Sequence, residues 1–589
     1  MIGAVTGALM GAPLVLVDGV GPLLERARSV LAADGVRVRR HRPGAGIPRG
    51  AAALLVDARD LAQRLAALSV QTRGRGRPLR VVVLAEAGGA SAQTEDAGAP
   101  GAVSALPGDA LRVEWIDPHR TAARVLLARW PLHRSMDPPA GQVPHLLIAG
   151  FGPVAQALFV HALRVGQYGG APPVVTVAAA AADAWRDWID ARHPQAARCG
   201  QLRCTSLPSA DLAEAPSVTM IAVCDMAADS ALALARELLA QAAEQGASPP
   251  ALLAVEADWR RGRLPDWDGQ LVPVQPLQLA FSRQVLLEGR DDALAEVIHE
   301  HYRDTSAAQG RDPAAAPSGV AWTQLATSYR DANRHQADHL WAKLAVTDCQ
   351  AVPEELVESF AFAPMEVEQL AVIEHRRWAV ERWLDGWTYG AERDNARKRH
   401  PQLISYAELS DAMQDLDRFA VRLVPALLAR SGLGVVRRLI VGVQGGDLRR
   451  PEAASQRAVR RVLRQLRARW PDRGLTLALD PTDARARLVA AEAVARHGAQ
   501  LFLLLTAPLP ALLAAQPAAA RPEMLRLLAQ AQRRIQLAGE TGLGNWLARR
   551  AEILFALDER LLAGPQADRP PAKRVVLDAG GDARWNFAY

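Results

Sequence analysis

With 589 residues, half of them apolar and 22% charged, the chain is too long for one hydrophobic core and too apolar to stay disordered. Its net charge is only +6, and arginine supplies nearly all the positive charge, because lysine stands only at 343, 398 and 573. The arginines spread along helical patterns and do not gather in one patch, which argues against a nucleic-acid partner.

Four cysteines, Cys199, Cys204, Cys224 and Cys349, lack zinc-type spacing, and a chain of this size needs no disulfide scaffold. They read as reduced thiols. The apolar opening, Ile2 to Val17, has no basic n-region and is too short to span a bilayer. No later apolar run is long enough to span one either, so a soluble, cytoplasmic protein is expected.

In chain order, Pro13–Val17, Ala52–Val56, Arg80–Leu84 and Leu111–Ile116 read as buried strands, separated by helical patterns at Gly21–Asp34 and near Leu61–Ser69. Strand and helix in alternation predict an α/β domain over 1–140 with a mainly parallel sheet. Gly88 to Pro107, rich in Gly, Ala and Ser, reads as a loop.

A second α/β unit is predicted over 141–285. Strand Leu146–Ala149 runs into Gly-Phe-Gly-Pro-Val-Ala and a helix from Val154 to Val165, with further strands at Val174–Val177, Val218–Val223, Leu252–Val255 and Leu271–Val274. Gly150, Gly152 and Ala155 fall where glycine-type residues let backbone amides approach a pyrophosphate. The acidic residue that would hold a ribose is missing at the end of the next strand, where Ala178–Ala182 stand before Asp183. Cys224-Asp225 follows a strand end and reads as structural.

From Leu279 the pattern is helical for about 150 residues. His299 and His301, two apart, point to different faces of a helix and form no metal pair. Trp322 to Leu344 carries Ser-Tyr-Arg-Asp-Ala-Asn-Arg-His-Gln-Ala-Asp-His-Leu, whose polar residues read as interdomain hydrogen bonds. Between an amphipathic helix starting at Met365 and another over Leu409–Leu428 lies a connector of about twenty residues. It reads Trp387-Thr-Tyr-Gly-Ala-Glu-Arg-Asp-Asn-Ala-Arg-Lys-Arg-His-Pro-Gln-Leu-Ile-Ser-Tyr406. Aromatic faces beside several cations suit a purine and its phosphates through stacking and charge-assisted hydrogen bonds. The competing reading has Arg393–Asp394 and His400–Pro401 cap and staple the loop. Trp387, Tyr389, Arg393, Asp394, Lys398, His400 and Tyr406 are the candidate ligand-binding residues.

After Gly432 the α/β pattern returns over 434–589. Arg438–Val443 reads as a strand that ends in Gly-Val-Gln-Gly-Gly-Asp-Leu, followed by helix Ala453–Trp470 and strands Leu475–Leu479, Leu501–Leu505 and Ile553–Leu557. Gly442, Gly445 and Gly446 form its phosphate-type turn.

Glu374-His-Arg-Arg-Trp, Asp385-Gly-Trp-Thr-Tyr-Gly-Ala-Glu-Arg-Asp, His400-Pro-Gln-Leu-Ile-Ser-Tyr and Asp415-Leu-Asp together resemble the Ryr domain of ryanodine receptors, which also occurs singly in bacterial proteins. The resemblance places a Ryr module at about 370–432 within a helical region 286–433. Residues from His145 onward resemble the nucleotide-binding (TrkA-N/RCK) domain of bacterial potassium-uptake regulators, carried by Gly150 and Gly152. The C-terminal segment is similar to a degenerate SLOG domain, carried by Gly442, Gly445 and Gly446. It has Asp483-Ala-Arg-Ala before Arg487 where relatives have an acidic-Gly-Ala-Asp run, and no glycine-rich turn with Thr and Glu is recognisable after Leu561.

The expected fold class is therefore multidomain α/β, with Rossmann-like parallel-sheet domains flanking a helical Ryr module. No complete set of acid, base, nucleophile or metal ligands appears, which favours binding over catalysis. The expected ligand or cofactor is a nucleotide or dinucleotide, and a homo-oligomer is expected. The architecture implies a sensor or effector of nucleotide-derived messengers in signalling or antiphage defence. Its alternatives are a regulatory subunit with a membrane channel partner, or a nucleotide-cleaving enzyme.

Overall fold

The computed structural model describes residues 12–42, 44–72, 77–85, 111–207, 216–257, 269–445, 452–556, 573–577 and 583–587. The chain divides into two compact units: Met1–Arg129 with Gly152–His161 and Gln275–Asp338, and Trp130–Phe151 with Ala162–Val274 and His339–Tyr589. The fold is α/β, built on parallel sheets. No helix among the described residues is long and apolar enough to cross a membrane.

The first unit holds a five-stranded sheet. Its strands are β1 (Leu14–Asp18), β2 (Arg37–Arg40), β3 (Ala51–Asp57), β4 (Leu79–Leu84) and β5 (Leu111–Ile116), in the order β2-β1-β3-β4-β5. All neighbours are parallel. That order is the flavodoxin-like doubly wound arrangement, whose switch point lies between β1 and β3. The polar Arg-Val-Arg-Arg strand β2 is absent from the sequence reading because it forms the sheet edge, where only one flank is paired and charged side chains reach water. The expected loop Gly88–Pro107 lies outside the described residues.

The same unit buries polar residues in the first part of helix Thr327–Val346, up to Asp338. Arg334 pairs with Asp292 and Asp331, while Arg124 on helix Pro118–Arg129 pairs with Asp291, Asp292 and Asp338. Asp331 thus docks the helix against a chain segment roughly two hundred residues away, and Arg334 against one roughly forty residues away.

In the second unit, β6 (His145–Ala149), β7 (Val174–Ala179), β8 (Gln201–Ser206), β9 (Met220–Cys224), β10 (Ala251–Ala254) and β11 (Leu271–Val274) form an all-parallel sheet. Its order, β11-β10-β9-β6-β7-β8, is the Rossmann order 3-2-1-4-5-6 read from the other edge. The last sheet contains β15 (Leu433–Gln444), β16 (Gly474–Leu479), β17 (Gln500–Leu505), β18 (Arg533–Gln536), β19 (Ile553–Ala556), β20 (Lys573–Leu577) and β21 (Ala583–Phe587). They lie in the order β18-β17-β16-β15-β19-β20-β21, parallel except for the final β20–β21 pair. Its central strands are apolar on both faces because helices cover both sides.

Strand β15 serves two partners in succession. Leu433–Arg437 pair antiparallel with β12 (Cys349–Pro353), and Arg438–Val443 pair parallel with β16. One continuous strand therefore leaves the helical region and becomes the centre of the C-terminal sheet.

Candidate functional site

The connector between helices is supported from below by helix Pro364–Leu384. This helix buries charge as well as apolar residues: Glu374, His375 and Arg377 are all buried. Glu374 accepts from Lys343 at 2.7 Å and from Arg377 at 2.9 Å, and Arg377 reaches Glu381 at 2.9 Å. Lys343 in turn meets His339, whose other ring nitrogen meets the Gln167 carbonyl oxygen at 2.8 Å. Burial alone would raise the Glu374 carboxyl; Arg377 and Lys343 outweigh it and hold it well below the usual carboxylate range. Unpaired, any one of these charges would be costly inside, so they stand or fall together.

The helix stops at Asp385, and Gly386 turns the chain back with φ near +82°. The connector then forms a short parallel pair, β13 (Thr388–Tyr389) with β14 (Arg399–His400). A bridge between Asp394 and Arg399, with backbone hydrogen bonds of 3.0 and 2.8 Å, closes the intervening hairpin. The expected helix Leu409–Leu428 is two helices, Asp411–Arg422 and Val424–Ala429. Pro425 divides them, because it lacks an amide hydrogen and its ring crowds the preceding turn.

The seven sequence candidates separate into scaffold and surface. Trp387 is buried; its indole N–H donates to Asp385 at 2.9 Å, and its ring lies under the Arg382 guanidinium. Lys398, at φ near +50°, donates its ammonium to the Asp385 carbonyl at 2.9 Å and carboxylate at 3.3 Å. His400 stands edge-on to Trp378 at 4.9 Å between centroids and accepts the Gln402 amide, and burial with Arg393 and Arg382 lowers its pKa. Asp394 caps the hairpin: the Arg397 amide, then its guanidinium, hold that carboxyl below its ordinary value. Tyr406 packs toward His375, and burial raises its hydroxyl pKa.

Tyr389 and Arg393 remain on the outside. Tyr389 is 57% exposed, and Arg393 spends its Nε–H on the neutral Asn395. The structure adds Arg399, whose stem lies over Gly390 so closely that a Cβ there would come within 2.9 Å of it. Arg397 is exposed too but is paired with Asp394. Tyr389, Arg393 and Arg399 are thus three exposed side chains of the connector, with Arg399 opposite Thr388 and Tyr389 opposite His400 in the β13–β14 register. Arg397 and Lys398 lie in the turn before β14, with Lys398 in the left-handed region, so no alternation along the chain marks Arg399 as outward.

The nucleotide-type turns look different. In the central sheet Gly150, at φ near +126°, sits so close to β9 that a Cβ would lie 2.2 Å from the Cys224 carbonyl oxygen. Its own carbonyl accepts the indole N–H of the fully buried Trp185 at 3.0 Å. Gly152 and Ala155 begin the helix Pro153–Val165 within the first unit, with Ala155 buried. Asp183, the first carboxylate after β7, is exposed and pairs with Arg186.

In the C-terminal sheet Gly442 serves packing, since a Cβ there would meet the Leu547 side chain at 2.7 Å. The Gly445 amide donates to the Asp483 carboxylate at 2.7 Å, and the same carboxylate caps helix Ala484–His497. An internal carboxylate thus holds the amide that a phosphate would need. Gly446 lies outside the described residues. At the β1/β3 switch point Arg64 bridges Asp18 at 3.1 Å and Asp57 at 2.7 Å. Burial raises Asp57, but Arg59 and Arg64 prevail and lower it.

Three of the four thiols, Cys199, Cys224 and Cys349, are buried and Cys204 is half-buried. Burial pushes Cys199 up to about 12 and Cys349 to about 11.

Residues 363–436 match the family model of the RyR domain. The match contains the whole supporting helix, the connector and the first residues of β15. The RyR segment is thus bounded by structure, opening at the cap of helix Pro364–Leu384 and closing on the strand that enters the C-terminal sheet.

Proposed function

We propose that the chain is a cytosolic sensor or effector component whose RyR loop binds a small, anionic, nucleotide-derived ligand, in bacterial signalling or antiphage defence. One observation carries this reading. Tyr389, Arg393 and Arg399 are exposed, while the Trp387, Lys398 and Asp394 side chains are engaged in hydrogen bonds within the connector and its helix end. An exposed ring and two exposed guanidinium groups on one short connector supply the stacking and charge-assisted hydrogen bonds that a base and its phosphates need.

The flanking sheets support the same division of labour. The Rossmann order of β6–β11 agrees with a likeness to potassium-uptake regulators, and the parallel β15–β19 core agrees with a likeness to SLOG domains. Their turns at Gly150 and Gly445 are engaged by Trp185 and Asp483, which favours the loop as the ligand site. Strand β15 gives a ligand on the RyR segment a covalent route to the C-terminal sheet.

The test is calorimetry and thermal shift against a nucleotide panel that includes cyclic and ADP-ribose types. Binding that Arg399→Ala or Arg393→Ala removes without lowering Tm is the expected result. No binding across the panel, or binding indifferent to both substitutions, sinks the reading.

A further inference from the structure

Strands β4 and β5 gather charge on one face of the first sheet. Arg80 stands opposite Arg112 in the parallel register, and Glu114, two residues further along β5, shares their side. Arg80 donates its Nε–H to Glu114 at 2.8 Å and an Nη1–H to the Leu287 carbonyl at 3.2 Å. Arg330, near the start of helix Thr327–Val346, brings a third guanidinium to the same carboxylate but stops at 3.9 Å, too far for a hydrogen bond.

Two of these three guanidinium groups are left over. Among the described residues, the side chains of Arg112 and Arg330 make no hydrogen bond. Arg112 is half-buried, while the Arg330 side chain is only 7% exposed. The other carboxylates that act on Arg330 are spent elsewhere, Asp292 on Arg124 and Arg334, Asp331 on Arg120 and Arg334. The first turn of the helix holds no acidic residue either, and the helix dipole is positive at that end. Burial and the neighbouring Arg334 hold the Arg330 pKa below its ordinary value. A guanidinium buried without an acceptor is costly, and an added anion removes that cost.

The chemistry of the anion follows from the charges. Both leftover groups act on Glu114, whose carboxyl burial alone would raise and which Arg80, Arg330 and Arg112 together lower. A carboxylate would satisfy one planar fork and one charge. A phosphate dianion offers acceptor oxygens on several sides and neutralises two charges. Arg80 and Arg112 are the second residues of their strands, so the place lies by the amino ends of β4 and β5. Open α/β sheets take their usual ligands at the opposite, carboxyl ends.

We propose that Arg112 and Arg330 receive a phosphate-type oxyanion, free or as the phosphoryl end of a larger molecule, while the Arg80–Glu114 pair fixes the two strands. The site does not depend on what the RyR loop binds.

Calorimetric titration of the full chain with inorganic phosphate, pyrophosphate and acetate at constant ionic strength tests it. Phosphate or pyrophosphate should bind, and acetate should bind roughly tenfold more weakly or worse. Arg112→Gln and Arg330→Met should each weaken the phosphate or pyrophosphate binding by roughly tenfold or more, with Tm retained. Arg112→Gln, at a half-buried position, decides the matter even where Arg330→Met does not fold. Binding of inorganic phosphate shows that a free anion suffices; binding of pyrophosphate alone marks a phosphoryl chain. Arg393→Ala in the loop should leave the binding unchanged, which separates the two sites. No binding up to roughly 10 mM, acetate as tight as phosphate, binding indifferent to Arg112→Gln, or binding removed by Arg393→Ala overturns the proposal.

Discussion

The Asp483 carboxylate accepts the Gly445 amide at 2.7 Å from the position that caps the following helix. One side chain therefore satisfies three backbone donors, those of Gly445, Arg485 and Ala486. Asp483→Ala should cost about 1–2 kcal/mol through the lost cap, and more through the orphaned Gly445 amide. Asp483→Asn, which keeps an acceptor oxygen, should cost less. Urea unfolding followed by circular dichroism separates the two.

Gly150→Ala is expected to be far more severe. The backbone at φ near +126° disfavours a side chain, and the new Cβ would lie 2.2 Å from the Cys224 carbonyl oxygen. Strand β6 and strand β9 are hydrogen-bonded neighbours, so neither can yield. A loss of about 3 kcal/mol or more is expected, read as a lowered Tm or as insoluble protein.

The Lys343–Glu374–Arg377 group should set part of the acid limb of stability. Glu374 has a folded pKa depressed below the ordinary 4.5, so its contribution is present above that value and is lost as pH falls below it. Glu374→Gln leaves two buried cations short of a partner and should cost about 3–5 kcal/mol at neutral pH. It should also flatten the loss of stability on acidification, measured as Tm from pH 7 to pH 3.

Asp291 has the opposite sign. Burial and the adjacent Asp292 raise its carboxyl to about 6, above the ordinary 3.8. Its contribution is full below about 3.8 and is lost as pH rises through about 6. Asp291→Asn should therefore stabilise the protein at pH 7 while changing little at pH 4. Unchanged Tm at pH 7 would show that Arg124 already compensates the charge.

Within the RyR loop, substitutions should sort by whether the side chain is spent internally. Trp387→Ala removes a buried ring and the hydrogen bond to Asp385, and should cost about 3 kcal/mol or more. Arg393→Ala and Arg399→Ala should leave stability within about 0.5 kcal/mol, as exposed positions do. Parallel unfolding curves of the three variants check this division.

Much of the architecture was legible in the chain. Apolar runs such as Leu146–Ala149 and Leu501–Leu505 are central strands because helices on both faces bury them, so hydrophobicity alone marked them. Of the strands the sequence did not mark, β2, β8, β18 and β21 lie at sheet edges, whereas β20 lies between β19 and β21 and β12 pairs only with the start of β15. In β18 the reason goes further: Arg533 and Arg534 are buried, compensated by Asp137 and by the Leu528 and Gly269 carbonyls. These partners are remote in sequence, and no local pattern shows that a charged strand can be interior.

The sequence by itself determined the alternation of strand and helix, the polar aromatic connector and its RyR signature, because these depend on neighbours along the chain. Only the tertiary structure decided which connector residues are free to meet a ligand. Trp387 and Lys398 look like binding residues in the sequence, yet both close on Asp385, and Arg399, opposite Thr388 in β13 with its stem over Gly390, is left outside. Likewise the turn glycines are visible in the sequence, but Trp185 and Asp483 reach them only when the sheets are folded, since hydrogen bonds across 35 and 38 residues require the crossover helices to be in place.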